Sequence, residues 1–291
     1  MPDVLILSTS RKFFSTREIT KALKKKNASP IYINTPKIRL SVDQKEATLL
    51  YKDEKIENAG SVIPRIGRSL TDFAYIVLRQ FEELNVPCTL SSKGLIHARN
   101  KFMAVQELVN SDIPFPTSWL TQSRMDTGII KQKMDFPIII KLLTGTQGIG
   151  VMKVESEKNA IPIIDTLTEL DQLILIQEYL ENNGEDIRVF IVDGQVIASM
   201  KRISPEDDWR ANIHAGGTGI EYNLTDEEEE IAIKATEILD TGIAGVDLIQ
   251  TPEGTKLIEV NVSPGFRGLL KATGINAADS IAEYAIKLAK K

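Results

Sequence analysis

The sequence is poor in the residue types that build thiolate and histidine sites. Its 291 residues include one cysteine, Cys88, and two histidines, His97 and His214. A single cysteine excludes an intramolecular disulfide, and we expect Cys88 to be an inert core thiol in a reducing compartment. No histidine pair stands at the spacing of H-E-x-x-H, and no G-x-S-x-G elbow occurs. Zinc chemistry, a Cys-His nucleophile and a serine hydrolase are therefore disfavoured.

Long apolar runs and an excess of positive charge are also missing. The most apolar stretches, FPIIIKLL and DQLILIQEYL, are much shorter than the roughly 20 residues of a membrane span. The N-terminal MPDVLILSTS has too few apolar residues for a secretion signal and predicts a first strand. The net charge of −5 leaves no basic footprint for non-specific nucleic-acid binding. We expect a soluble, cytoplasmic protein without a membrane or nucleic-acid partner.

The apolar patterns predict three α/β or α+β units, at residues 1–90, 91–176 and 177–291. In the first, strands such as DVLILS, SPIYIN and SVIPRIG alternate with helices around a hairpin at 38–56, which is typical of a parallel sheet flanked by helices. The first strand is not followed by G-x-G-x-x-G, so no dinucleotide site is expected there. In the third unit, the acidic run DEEEE at 226–230 begins a helix, where acids complement the helix dipole.

The segment KLLTGTQGIG, from Lys141 to Gly150, is the most glycine-rich part of the second unit. A P-loop places its lysine after the glycines, at the start of a helix. Here Lys141 precedes them, and the following VMKVE alternates like a strand, so the pattern predicts a strand, a loop and a strand. Such a loop lets backbone N–H groups approach phosphate oxygens while Lys141 holds its charge against them. A plain glycine hairpin with a surface lysine is an equally good interpretation.

The segment VDLIQTPEGTKLIEVNVSPG predicts a hairpin that brings two acids together. Centring the turn on Glu253 sets Asp247 opposite Glu259 and puts Asn261 on the same face. Opposed like charges are destabilising, so a cation is expected between them. Two carboxylates and an amide oxygen suit a magnesium ion that shares phosphate oxygens with a nucleotide. The alternative is a solvated face with two unrelated acids, because a register error of one residue removes the argument.

A second hairpin, EDIRVFIVDGQVIASMKRI, has an Asp-Gly turn. Its register predicts Lys201 opposite Asp186, and Arg188 opposite Ser199 on the same face. This face is either an ordinary structural ion pair or, with the added charge of Arg188, a site for a carboxylate or phosphate. The polar, glycine-rich loop at 204–219 follows, and we expect it to close over a site and deliver donors to it.

In their order along the chain these motifs resemble the ATP-grasp ligases, and most closely the RimK-like branch that adds glutamate to a carboxyl terminus. The resemblance is carried by Lys141 with its glycine loop, ILIQEYL, D-I-R, R-A-N, V-D-L and E-V-N-V-S-P-G, and by IPRIG in the first unit. It extends over essentially the whole chain. It implies an ATP-grasp fold of α/β and α+β units, preceded by a Rossmann-like pre-ATP-grasp domain.

The resemblance also implies ATP as a substrate and Mg²⁺ or Mn²⁺, as two ions, as the metal. The metal ligands would be Asp247, Glu259 and Asn261. The nucleotide would be bound by Lys101 and Lys141 at the phosphates, Glu178 and Tyr179 at the adenine, Asp186 at the nucleoside end, and also by Gly145, Gln147, Gly148, Gln177 and Arg210. Charge on the transferred phosphoryl group would be neutralised by Arg202, Arg210 and Asn212. Substrate carboxylates would meet Arg188, His214 and Ser263.

The implied reaction is phosphorylation of a carboxylate by ATP, followed by attack of the L-glutamate amine on the acyl phosphate. Ile203 stands where a RimK-type ligase has a second arginine, and Lys201 where that branch tends to have an acid. The acceptor therefore stays open between a ribosomal protein tail and a pterin or deazaflavin that already bears glutamate. The alternatives are a ligase acting on an amino-group carrier protein in lysine or arginine synthesis, and a non-catalytic ATP-binding regulator. The resemblance further implies a homo-oligomer, for example a tetramer.

Overall fold

A computed structural model describes residues 2–143, 150–205 and 217–290. The chain begins with a parallel sheet in the order β2-β1-β6, formed by Asp3–Ser8 (β1), Ser29–Asn34 (β2) and Ser61–Pro64 (β6). It is flanked by Phe14–Lys25 (α1) and Thr71–Glu83 (α2). The inner strand β1 is buried from Val4 to Leu7, as expected of a parallel strand covered on both faces. The predicted parallel sheet is confirmed.

Between β2 and β6 the chain forms a small antiparallel meander. Its strands are Ile38–Val42 (β3), Ala47–Tyr51 (β4) and Glu54–Lys55 (β5). β3 and β4 pair from Ile38 and Tyr51 to Val42 and Ala47, which confirms the predicted hairpin at 38–56.

Two short helices, Ser92–Arg99 (α3) and Lys101–Leu108 (α4), follow the first sheet. The sequence predicts only the second, because Gly94 weakens the helical pattern of α3. A Cβ at Gly94 would lie 2.3 Å from the backbone oxygen of Asp240, so glycine is required by close packing. Asn100 is extended and separates the helices, and its side chain accepts hydrogen bonds from the N–H groups of Phe102 and Met103.

The central sheet is antiparallel, with the order β7-β10-β8-β9. Its strands are Ser118–Thr121 (β7), Ile138–Leu142 (β8), Val151–Val154 (β9) and Ile174–Glu178 (β10), and its helices are Thr127–Lys131 (α5) and Glu157–Glu169 (α6). β8 and β9 pair directly, which confirms a strand on each side of the glycine loop. Isoleucines of β8, β10 and α6 form one core, including Ile138, Ile140, Ile164, Ile174 and Ile176.

The C-terminal sheet is antiparallel and has the order β13-β12-β11-β14-β15. Its strands are Glu185–Val192 (β11), Gln195–Ile203 (β12), Thr218–Glu221 (β13), Ile243–Thr251 (β14) and Gly254–Asn261 (β15). The helices are Asp226–Ile238 (α7), Arg267–Thr273 (α8) and Ala278–Leu288 (α9). α7 begins with a capping box between Thr225 and Glu228, which confirms that the acidic run starts a helix.

Side chains of the first and third sequence units share one core. Val4 and Ile6 of β1 belong to the same buried cluster as Phe190 of β11 and Ile281 of α9. The N-terminal parallel sheet and the C-terminal sheet are therefore held together by apolar packing that includes α8 and α9. In the part of the chain described here, no helix is long and apolar enough to cross a membrane.

Candidate functional site

The acids of β14 and β15 face each other. Asp247 pairs with Glu259, and Asn261 pairs with the neighbouring Gly245, so three oxygen-bearing side chains lie at the same end of the hairpin. The Asn261 amide oxygen accepts a hydrogen bond from the backbone N–H of Ser263 at 2.9 Å, which fixes the amide group. The predicted pairing of Asp247 with Glu259 is confirmed.

The turn that leads to this pairing differs from the prediction. Thr251 pairs with Gly254, so the turn is one residue tighter than a turn centred on Glu253. A bulge between Asp247 and Leu248 then shifts the register by one residue and restores the predicted pair. The predicted centre was wrong, and the bulge offset the error.

Two arginines hold the Asp247 carboxylate. Arg188 binds both oxygens, through Nε to Oδ1 and through Nη2 to Oδ2 at 2.7 Å, and Arg202 Nη2 lies 3.0 Å from Oδ2. The Asp247 side chain is only 11% exposed. Burial acts to raise the pKa of Asp247, but Arg188 and Arg202 outweigh it and hold that pKa below its ordinary value. Asp247 is therefore an ionised, oriented carboxylate.

A second buried carboxylate, Asp186, is held by Arg202 in a bidentate pair. Both contacts, Nε to Oδ1 and Nη2 to Oδ2, are 2.5 Å long. Burial raises the pKa of Asp186 to about 6, although Arg202 opposes the rise. Beside Asp186 the surface has a cavity of about 390 Å³, lined also by Asn182, Glu185 and Gln250.

The predicted register of the β11–β12 hairpin is wrong by one residue. Asp186 pairs with Arg202 instead of Lys201, and Arg188 pairs with Met200 instead of Ser199. The cause is a bulge at Phe190–Ile191, because it shifts the register by one residue for every pair farther from the turn. Lys201 instead forms an ion pair with Glu185 at 2.8 Å, on the more exposed side of the sheet.

Two lysines from different parts of the chain lie near Glu259. Lys101, the first residue of α4, forms an ion pair with Glu259 Oε2. Lys101 is the main cause of a lowered Glu259 pKa, and it outweighs burial. Lys141 Nζ donates to Gln177 Oε1 at 2.7 Å, and burial, assisted by Lys101, lowers the pKa of Lys141 to about 8. This part of the site holds closely spaced positive charges, as a phosphate site requires.

Glu178 connects the central sheet to the C-terminal sheet. Its Oε1 accepts from Lys256 Nζ at 2.7 Å, and its Oε2 accepts from the N–H of Thr117 at 3.1 Å. Lys153 Nζ lies 4.1 Å from the centre of the adjacent Tyr179 ring. Lys256 was missed by sequence reasoning, although it alternates with the buried residues of β15 and so points to the side of the sheet where Glu178 lies.

The residues after Asn261 contact the N-terminal part of the chain. Ser263 Oγ accepts from the N–H of Ile66 at 3.2 Å, and Arg65 Nη2 donates to the oxygen of Pro264 at 2.7 Å. Arg65 was not among the predicted site residues. Arg65 directly follows the carboxyl end of a parallel strand, and ligand-binding groups are often found at that edge of an α/β sheet. This position in the sequence is the signal that could have predicted Arg65.

The oxygen set of Asp247, Glu259 and Asn261 fits a magnesium ion that completes its shell with water and phosphate oxygens. In the described part of the chain, no group of three or more His, Cys, Asp and Glu side chains could hold a metal by itself. Each carboxylate oxygen has two lone pairs, so the arginine and lysine contacts leave room for coordination.

Six predicted site residues lie outside the described residues. They are Gly145, Gln147 and Gly148, between β8 and β9 in the sequence, and Arg210, Asn212 and His214, between β12 and β13 in the sequence. Cys88 is described, and burial raises the pKa of its thiol to about 12. A thiolate is not populated at neutral pH, which agrees with the prediction of an inert core thiol.

Two family models match the chain in succession. Residues 3–95 match the RimK PreATP-grasp domain, and residues 98–285 match the RimK-like ATP-grasp domain. The fold is that of the ATP-grasp ligases, and the prediction of an ATP-dependent ligase is confirmed. The chain belongs to the RimK-like ATP-grasp family.

Curated relatives match over nearly the full length. The chain is 37% identical over 289 residues to a probable alpha-L-glutamate ligase of Methanococcoides burtonii, covering 99% of this chain and 96% of the relative. A probable alpha-L-glutamate ligase of Coxiella burnetii is also 37% identical over 99% of this chain and 96% of the relative.

Solved structures share the fold at low identity. The ATP-grasp ligase PsnB complexed with its minimal precursor superposes with a TM-score of 0.79 at 18% identity, covering 99% of each chain. PsnB with its minimal precursor, Mg and ADP gives a TM-score of 0.77 at 18% identity, covering 99% of this chain and 98% of PsnB. A RimK domain ATP-grasp protein from Sphaerobacter thermophilus gives 0.71 at 15% identity, covering 98% of this chain and 99% of that one.

Proposed function

We propose that this ligase joins the amino group of L-glutamate to a carboxylate acceptor through an acyl-phosphate intermediate. The glutamate assignment is supported by relatives named probable alpha-L-glutamate ligase that match 99% of the chain. The membership in a ligase family makes the non-catalytic regulator a poor alternative. The ligase acting on an amino-group carrier protein has no observation in its favour here.

The observation that carries the proposal is the meeting of two carboxylates with cations from three other elements. Asp247 and Glu259 are directly opposed, and they are contacted by Arg188 of β11, Arg202 of β12 and Lys101 of α4. Like charges placed in this way are stable only when opposite charges compensate them. A site in which metal-binding carboxylates stand beside cationic side chains suits the transfer of a phosphoryl group, whose charge is spread over several oxygens.

The chemistry requires no protein nucleophile. A carboxylate is a poor electrophile, so its oxygen first attacks the γ-phosphorus of ATP, and ADP leaves. The amine then attacks the carbonyl carbon of the acyl phosphate, inorganic phosphate leaves with the electron pair of the C–O bond, and the amine loses a proton. Positioning and charge neutralisation supply most of the acceleration in such reactions. A bound magnesium ion would add neutralisation of the phosphate charge.

Within this scheme the described residues divide by position. Asp247, Glu259 and Asn261 would hold the metal, while Lys101 and Lys141 would bind phosphate oxygens. Gln177, Glu178, Tyr179 and Asp186 would line the nucleoside end, where the carboxylate of Glu178 acts by joining the two sheets. Arg202 would neutralise the transferred phosphoryl group. Arg188 and Ser263 would face substrate carboxylates.

A peptide carboxyl terminus is the acceptor to test first. Neighbours of this fold have been solved as complexes with precursor peptides, which supports a peptide as the first acceptor to test. Glutamylated pterins and deazaflavins are the coenzyme alternatives. As for assembly, a homo-oligomer such as a tetramer remains a prediction.

The proposal is tested by measuring ADP release with ATP, Mg²⁺ and each amino acid against a panel of acceptors. The panel contains a ribosomal protein tail ending in glutamate, a glutamylated pterin, a glutamylated deazaflavin and an amino-group carrier protein, and mass spectrometry identifies products. The expected result is glutamate-dependent ADP release with a mass gain of one or more glutamyl groups on one acceptor. A product with another amino acid, but none with glutamate, would overturn the glutamate assignment.

A further inference from the structure

Three arginines of the N-terminal part of the chain, Arg65, Arg68 and Arg99, form what we call the arginine cluster. Arg65 and Arg68 follow the carboxyl end of β6, and Arg99 is the last residue of α3. Burial lowers the pKa of Arg65 and of Arg99 to about 10 each, with a further contribution from Arg99 to the first and from Arg68 to the second. Arg99 donates hydrogen bonds to Ile66 and Thr71, so its guanidinium lies against the segment that carries Arg65 and Arg68.

The hydrogen-bond partners of Arg65 and Arg99 are neutral. Arg65 donates to the oxygen of Pro264, and Arg99 donates to Thr71 Oγ1 at 2.9 Å and to the oxygen of Ile66. Among residues 2–143, 150–205 and 217–290, no acidic side chain forms an ion pair with either arginine. Arg65 is only 9% exposed, and its Nε has no hydrogen-bond partner in these ranges. Within the described ranges, Arg65 Nε is thus a buried donor that a bound anion could satisfy.

The cluster borders the proposed reaction centre. Arg65 contacts Pro264, and a Cβ placed on Gly245 would lie 2.9 Å from Pro264 Cβ and 3.0 Å from Arg188 Nη1. Pro264 and the Arg188 guanidinium are thus packed against the same point of β14. Glu259 acts on Arg68, where it partly opposes the lowering of the Arg68 pKa by burial. An anion bound by the cluster would therefore lie beside the proposed metal ligands.

We infer that the arginine cluster binds the side-chain carboxylate of a glutamate substrate, a carboxylate that is not itself activated. This inference rests on the proposed function and deepens it, since it concerns the substrate end of the same site. Planar guanidinium groups bind a carboxylate through two parallel hydrogen bonds, and a lysine cannot supply that geometry. Two sources share this chemistry: the carboxylates of a glutamate-terminated acceptor, and those of the incoming L-glutamate.

The test measures binding and steady-state kinetics for the wild type, Arg68→Ala and Arg99→Met. The matched control is Arg79→Ala, because Arg79 also belongs to the N-terminal part of the chain but lies at an exposed position of α2, where it pairs with Glu82 and Glu83. The probes are ATP with Mg²⁺, L-glutamate, L-glutamine, and peptides ending in Glu-Glu or Gln-Gln. Calorimetry gives Kd without requiring turnover, and thermal unfolding confirms that each variant is folded.

We expect Arg68→Ala and Arg99→Met to raise Kd and KM at least about tenfold for one glutamate-bearing probe, leaving the Kd for ATP within about twofold. The increase in Kd and KM should disappear with the matching glutamine probe, because a glutamine side chain has no carboxylate and lacks this contact in the wild type as well. A penalty on free L-glutamate identifies the incoming amino acid as the ligand, and a penalty on the Glu-Glu peptide identifies the acceptor.

The inference is overturned if both variants match Arg79→Ala, if ATP loses affinity as much as the carboxylate probes, or if glutamine probes suffer the same penalty. It is also overturned if the wild type binds neither glutamate probe. Failure of the proposed function is distinguishable, since it would appear in the wild type as binding without any glutamylated product.

Discussion

The two hairpins of the C-terminal sheet, β11–β12 and β14–β15, each carry buried charge, but they compensate it differently. In β11–β12, Asp186 is bound by Arg202, its direct partner on the adjacent strand. In β14–β15, Asp247 and Glu259 are opposed to each other, and their cations come from β11, β12 and α4. The first hairpin holds an ion pair of its own, whereas the second needs other elements to be stable.

The two hairpins also differ in how accessible their charged side chains are to solvent. The Asp186 and Arg202 side chains are 15% and 10% exposed, so their pair is largely closed to solvent. The Glu259 side chain is 39% exposed, which leaves it accessible to an ion and a nucleotide. Opposed acids whose cations come from other elements suit a metal ion with bound phosphates better than they suit a purely structural contact. Three predictions, from the largest expected effect to the smallest, test this comparison of the two hairpins.

The largest effect is expected for Glu259→Gln. If Glu259 holds the metal, the change should lower ligase turnover at least about a thousandfold, since a metal supplies several kcal/mol of charge stabilisation. Its effect on the free energy of unfolding should stay within about 1 kcal/mol, because the partly exposed pair with Lys101 contributes little. Turnover by coupled ADP assay and unfolding by urea give both values.

The matched control is Glu253→Gln, at the exposed turn of the same hairpin. It should leave both turnover and stability unchanged. Near-normal activity in Glu259→Gln would remove the metal assignment and make the β14–β15 acids an ordinary structural feature.

An intermediate effect is expected on stability when neighbouring residues of β12 are compared. Arg202→Met leaves Asp186 without its cation and Asp247 with one fewer, so it should cost about 3 kcal/mol of unfolding free energy. Lys201→Met removes only the more exposed pair with Glu185 and should cost less than about 1 kcal/mol. Urea unfolding of both variants without ligands provides the measurement, and equal losses would argue against the observed register.

The smallest effect concerns pH and Lys141. Its pKa of about 8 lies below the ordinary lysine value, so Lys141 loses its proton between neutral and alkaline pH. Nucleotide binding above pH 8 must then restore that proton, and ATP affinity should fall about tenfold from pH 7 to pH 9. Calorimetry in buffers of different ionisation enthalpy would detect the proton uptake.

The control for this profile is Lys141→Arg, whose charge persists over the same range and should flatten the pH dependence. Lys131→Arg, at an exposed position of α5, should keep the wild-type slope. A slope unchanged by Lys141→Arg would assign the titration to another group.

The sequence predicts the elements whose signals are local. Apolar runs of β1, β8 and β10 and the acidic start of α7 are read correctly, because periodicity and capping depend on neighbouring residues. The register is less predictable: one bulge cancelled an error at the Asp247 pair, while the bulge at Phe190–Ile191 displaced the Asp186 pair. A bulge depends on tertiary packing that single-strand patterns do not record.

Other features are not predicted for different reasons. The sequence does not predict the edge strand β7, because it follows a proline-rich segment and has a weak strand pattern. Arg65, Arg68 and Arg99 are separated in sequence from the β14–β15 acids, and only the packing of the first sheet against the third brings them together. Their chemistry is visible in the sequence, but their proximity follows from the fold.

The most direct test of the acyl-phosphate proposal is an isotope transfer. The acceptor that supports turnover is prepared with ¹⁸O in its reacting carboxylate and incubated with ATP, Mg²⁺, L-glutamate and the enzyme. We predict that one ¹⁸O atom passes to inorganic phosphate for each amide bond formed, as read by mass spectrometry of the phosphate. Amide formation with unlabelled phosphate would show that ATP does not activate the carboxylate by phosphorylation, and would contradict the account.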